Sequence, residues 1–111
     1  MKTICTPKSA EAMDRLDTDS CIDGDLVELD LPQDVFEKLW SSGLFDELNS
    51  ALSIMIDDFE DEKIVGESVD EAILVLDRFI DGGKAPQNIF LEIRRLLNLA
   101  KRSRTGLFFY F

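Results

Sequence analysis

The sequence predicts a single α+β domain over residues 1–111, with four main helices packed on a two- or three-stranded sheet that includes the C-terminal strand. Three observations carry this expectation. Residues 26–31 alternate apolar and polar with period two. Four later stretches repeat apolar residues at helical spacing between Pro and Gly punctuation. The chain closes on Leu107-Phe108-Phe109-Tyr110-Phe111, which is β-prone and apolar on both faces. A chain of 111 residues, 45% of them apolar, holds enough hydrophobic surface for one core; a domain of this length buries roughly 65% of its unfolded surface.

In chain order, Thr3-Ile4-Cys5-Thr6 predicts a short first strand ending at Pro7. Ser9 then caps a short helical stretch with Ala12, Met13 and Leu16 on one face. A polar turn region from Asp17 to Asp25 leads into Leu26-Val27-Glu28-Leu29-Asp30-Leu31, whose Val27, Leu29 and Leu31 are expected to face the core. Pro32 stops this strand and suits the first turn of a helix, where a missing N–H costs nothing. That helix carries Val35, Phe36, Leu39 and Trp40, and ends at Ser41-Ser42-Gly43.

Leu44, Phe45, Leu48, Leu52, Met55, Ile56 and Phe59 recur at helical spacing and predict four turns of amphipathic helix. Ser68 and Glu71 form a capping-box pattern ahead of Ala72, Ile73, Leu76, Phe79 and Ile80, and Gly82-Gly83 stops that helix. Pro86 opens another, with Ile89, Phe90, Ile93, Leu96, Leu97 and Ala100 inward and Arg94, Arg95, Asn98, Lys101 and Arg102 outward, until Thr105-Gly106 breaks it. An aromatic last strand exposed at a sheet edge would invite aggregation, so its expected place is the middle of the sheet or beneath helices.

Charge is segregated along the chain. Residues 1–92 hold all 23 carboxylates against 7 cations, whereas residues 93–111 hold 5 cations and no carboxylate. The net charge of −11 opposes nucleic acid and anionic membrane and attracts a basic protein partner with faster association. The longest apolar run, Ala72 to Leu76, is far short of the roughly 20 residues a membrane span requires. The opening residues carry no apolar stretch of an export signal, and two cysteines, Cys5 and Cys21, make no disulfide framework or zinc-ligand spacing. The expectation is a cytoplasmic protein with free thiols and no cofactor.

Catalysis is disfavoured by the residue types present. There is no histidine, hence no common general base, and neither G-x-S-x-G nor a phosphate loop occurs. Asp19, Cys21, Asp23, Gly24 and Asp30 approach a calcium-loop register, but Cys is a soft ligand, Asp30 stands where a bidentate Glu belongs and Pro32 follows; a turn into a strand fits better.

The densest feature is Asp57-Asp58-Phe59-Glu60-Asp61-Glu62, with five carboxylates in six residues. Mutual repulsion makes such a run unfavourable unless it is solvated, neutralised by a cationic partner surface, or bound to a hard metal ion. Asp57, Asp58, Glu60, Asp61 and Glu62 are therefore candidate partner-binding residues, with a solvated loop as the plain alternative. Trp40, the single tryptophan, is either core or an interface anchor. The outward cations of the last helix serve its dipole and internal ion pairs, an acidic partner or nucleic acid, or self-association.

The layout resembles the small acidic bacterial immunity proteins of toxin–immunity systems: a Val-Glu-Leu-Asp-Leu-Pro junction at 27–32, an Asp-Asp-Phe-Glu-Asp-Glu cluster at 57–62 and a final aromatic strand. The resemblance is one of class and carries over no individual residue. It implies a protein that binds a basic toxin domain, often a nuclease, and occludes its active site with carboxylates in place of phosphates. The alternatives from other classes are a self-associating acidic regulatory or structural subunit and a metal-dependent enzyme.

Overall fold

Ile4 and Phe109 face each other at the centre of the molecule, where the first and last strands pair. The structure, a computed structural model, describes residues 1–111. Its elements are β1 (Lys2–Pro7), α1 (Ala10–Asp17), β2 (Leu26–Leu31), α2 (Gln33–Ser41), α3 (Leu44–Leu52), β3 (Asp61–Val65), α4 (Ser68–Asp81), α5 (Gln87–Ser103) and β4 (Gly106–Tyr110). The sheet has the order β2-β1-β4-β3, and every neighbouring pair is antiparallel.

The fold class is thus α+β, with one more helix and one or two more strands than the sequence predicts. The fifth helix, outside the four main ones, is α1, the short stretch that Ser9 is expected to cap; the Ser9 hydroxyl accepts the Ala12 N–H at 3.1 Å. The unpredicted strand is β3. Its residues 61–63 sit in the acidic run, but Glu62 and Ile64 point inward while Asp61, Lys63 and Val65 are exposed, the alternation of a half-covered edge strand.

The sheet's inner face presents Ile4, Leu31, Ile64, Leu107 and Phe109 to α2–α5. Phe36, Trp40, Phe45, Phe109 and Phe111 form an aromatic cluster with ring centroids between 5.1 and 6.3 Å apart in each contacting pair. Edge-on and tilted pairs of this kind contribute about 0.5–1.5 kcal/mol each beyond their burial. On the outer face Cys5 and Phe108 are buried, and α1 packs against β1 there. The last strand is buried on both sides and central, as its composition predicts.

The four-turn helix expected from Leu44 to Phe59 is shorter. It ends at Leu52, where Ser53 adopts a left-handed backbone (φ 55) and donates its N–H to the Asn49 carbonyl. The Asn49 side-chain amide then grips Ile56 in both directions, accepting its N–H at 2.6 Å and donating to its carbonyl at 3.0 Å. Ile56 is buried from this loop, but Met55 and Phe59 are exposed rather than core. Ending the helix here also moves the carboxylates off a helix C-terminus, where the dipole would oppose them.

The Ser68 capping box does not form: Glu67 is the N-cap, in helical conformation and without a side-chain cap bond. Pro86 precedes α5, and Gly82-Gly83 follows α4, as expected. At the other end of α5, Arg104 turns left-handed (φ 56) and the Thr105 N–H reaches the Ala100 carbonyl at 2.9 Å, closing the helix. Two buried hydroxyls fasten this corner to β1: Thr6 donates to the Leu96 carbonyl at 3.3 Å and Thr105 to the Pro7 carbonyl at 2.8 Å.

Gly106 begins β4 and pairs with Val65 of β3. A Cβ there would stand 2.6 Å from Val65 Cγ1 and 2.7 Å from the Ile64 carbonyl oxygen, so the two strands approach only because this residue has no side chain. Gly106→Ala is expected to destabilise the domain by about 1–3 kcal/mol, read as a lower denaturant midpoint in urea unfolding; an unchanged midpoint would show that β3 can move aside freely.

Candidate partner-binding surface

The loop between α3 and β3 carries the acidic cluster, so its carboxylates lie on a loop and an edge strand and not on a helix end. Asn49 pins the loop's first half, as described. Glu62 pins its second: one carboxylate oxygen accepts the Met55 N–H at 2.9 Å and the other its neighbour Lys63 N–H at 2.9 Å. Glu62 is therefore half-buried and occupied in closing the loop, which removes it from the set of free contact groups.

Asp58 is also engaged. It forms an ion pair with Lys2, and the same ammonium lies 4.7 Å from the Phe36 ring centroid and 5.1 Å from that of Phe59. A cation held between two aromatic faces and a carboxylate ties the loop to β1 and α2. Asp57 turns back to accept the Asp58 N–H at 2.8 Å. Glu60 and Asp61 are exposed and make no ion pair.

Phe59 stands at the apex of this loop, 86% exposed, with a left-handed backbone (φ 64). A non-glycine residue in that region is uncommon and is held by its surroundings. Helical periodicity placed Phe59 in the core; the signal for its exposure is the pair of acidic residues on each side, a setting that suits solvent better than burial.

Trp40 is half-buried. One side packs on Phe36 at 5.8 Å and Phe45 at 5.5 Å between centroids, and the rest lines an open groove of about 370 Å³ together with Gln33, Phe36, Glu37, Ser41 and Asp58. The ring is thus core on one side and open to the groove on the other. The structure brings Trp40 and Asp58 to one groove, beside the loop that carries Asp57, Phe59 and Glu60.

Two of the four cations of α5 are turned to the neighbouring helix. Arg94 pairs with Asp77 and Lys101 with Asp70 at 2.8 Å, both on α4, while Arg95 reaches Glu92 at 3.3 Å. Arg102 and Arg104 make no ion pair.

The segment that approached a calcium-loop register is a turn organised by a different residue. Asp25, buried, accepts two bonds from the Arg15 guanidinium at 2.8 and 2.7 Å and the Ile22 N–H at 3.0 Å, while Asp30 accepts the Thr3 hydroxyl across the sheet at 2.9 Å. No three carboxylate or thiol side chains converge as a metal-holding set. Cys5 is buried and Cys21 exposed, both free; burial, with Glu28 nearby, pushes the Cys5 thiol up to about 12. Burial likewise raises Tyr110 to about 12.

Comparison of the chain with protein-family models, with curated proteins and with solved structures finds no match.

The Arg15 hydrogen bonds, and after them the Ile22 N–H, hold the Asp25 carboxyl down to about 2. A carboxylate with a depressed folded-state value stabilises above its unfolded value of about 3.9, and that stabilisation is lost as pH falls through about 2. Replacing Arg15 with Met is expected to lower stability above about pH 4 and to flatten its fall between about pH 4 and pH 2, in thermal unfolding followed across acid pH; coincident profiles for the two proteins would contradict the assignment.

Proposed function

We propose that this chain is an acidic protein-binding module, an immunity or antitoxin-type inhibitor that neutralises a basic toxin domain by occluding its active site. The observation that carries the reading is Phe59: a large aromatic on a pinned loop, exposed, and flanked in the chain by Asp57, Asp58, Glu60 and Asp61. Aromatic residues, Phe among them, are enriched at protein interfaces, and a few buried side chains carry most of the binding energy there.

The division of labour among the carboxylates supports it. Glu62 and Asp58 fix the loop, so that Asp57, Glu60 and Asp61 are presented without the entropy cost of ordering a mobile segment on binding. Close charge pairs across such interfaces couple by about 1.5–7 kcal/mol, and the negative field speeds encounter. A nuclease domain, whose active site is shaped for phosphate, is the toxin class this chemistry suits.

The second reading, self-association through the cations of α5, has fewer groups at its disposal than the charge count suggests, because Arg94 and Lys101 already face Asp77 and Asp70 of the same chain. Sedimentation across salt and protein concentration separates the two: the inhibitor reading expects a monomer throughout, and a dimer that dissolves with salt would favour self-association.

For the captured toxin partner, Glu60→Lys combined with Asp61→Lys is expected to slow association about tenfold or more at low salt, with a much smaller effect at high salt. Phe59→Ala is expected to act on dissociation instead. Stopped-flow rates that are unchanged in both variants would remove this loop from the interface.

A further inference from the structure

The groove beside the acidic loop has the chemistry of a receptor for one cationic side chain, and the geometry points to an arginine of the partner as its occupant. The inference rests on the protein-binding reading above and names the contact by which that surface would recognise its partner. Its walls are the rings of Trp40 and Phe36, its only charged lining groups are Glu37 and Asp58, and Gln33 and Ser41 supply neutral polar atoms. At about 370 Å³ it lies at the small end of ligand-sized sites, which run from about 300 Å³.

An independent observation shows what this corner does with a cation. The Lys2 ammonium is already held by two of the same groups, the Phe36 ring at 4.7 Å and the Asp58 carboxylate. That leaves the second oxygen of Asp58, the whole Glu37 carboxylate apart from a 3.3 Å bond from Gln33, and the open side of the indole. The one internal cation pairs with Asp58 and not with Glu37, so the groove keeps a negative excess.

Arginine fits this set better than lysine. Its planar guanidinium stacks on an indole and presents a rigid fork of N–H donors to carboxylates, and it sheds water more readily than an ammonium does. Trp40 supplies the stacking face, while Glu37 and Asp58 supply the acceptors. The groove thus adds specificity that the loop's diffuse negative charge lacks.

The test is an NMR titration of the isolated protein with L-arginine amide, with L-lysine amide and sodium chloride as matched controls and nona-arginine peptide as a separate arm. Saturable shifts at the Trp40 indole, larger for arginine amide than for lysine amide and weakened about fivefold by Glu37→Gln, are the expected result. Glu37 is exposed, so that variant keeps the fold. Linear, non-saturating shifts, equal responses to the two amides, or an unaltered Glu37→Gln titration would overturn the proposal. If nona-arginine still binds in a salt-dependent way through residues 57–61 while the Trp40 signal stays fixed, the groove fails and the acidic-module reading stands; if nona-arginine also fails to bind, both fall.

Discussion

The antiparallel pairing of β1 with β4 is the contact on which the remaining structure hangs. These two strands occupy the middle of the sheet, and each of the outer strands has only one of them as a neighbour. Ile4 and Phe109 on the inner face give α2–α5 a floor to pack on, while Cys5 and Phe108 on the outer face give α1 its own. The Thr6 and Thr105 hydroxyls lock the same junction from the side, each buried hydroxyl finding a backbone carbonyl as its acceptor. Most of the domain's apolar burial is thus organised by residues from the two extremities of the chain.

Where local pattern and tertiary placement agree, the fold was legible in the sequence. The period-two stretch at 26–31, the Gly82-Gly83 stop and the doubly apolar last strand all need no distant information, and each stands where composition and spacing put it. The α3–β3 segment was not legible, because its outcome depends on side-chain contacts that periodicity cannot register. Met55, Ile56 and Phe59 fall at helical intervals from Leu44, yet the Asn49 amide captures Ile56 and Ser53 turns left-handed, and the helix is over. The same misreading hid β3 and buried Phe59 on paper. The acidic residues themselves were identified correctly as a cluster; what sequence could not divide was which carboxylates face inward to hold the loop and which remain free.

That division explains how a chain tolerates five carboxylates within six residues. Repulsion is relieved by giving two of them internal work, Glu62 on backbone N–H groups and Asp58 on Lys2, and by spreading the others over a turn and the start of an edge strand. Charge on an edge strand also guards it against pairing with other chains. A second electrostatic seam lies between α4 and α5, where Arg94 meets Asp77 at a partly exposed position and Lys101 meets Asp70 at an exposed one. Such exposed pairs contribute about 0–1 kcal/mol each, so this seam sets the register of the two helices more than it stabilises them.

The central position of β4 has a consequence for biosynthesis. While residues 106–110 are still inside the ribosome, β1 can pair with β2 but has nothing on its other side, and β3 has no partner at all. Helices α2–α5 then emerge with apolar faces that lack the Leu107 and Phe109 surface they will finally cover. Partly assembled chains of this kind are prone to aggregate. Packing of the helices onto a complete sheet therefore waits until residues 106–110 have cleared the ribosome, and the folded acidic surface forms in one step rather than progressively.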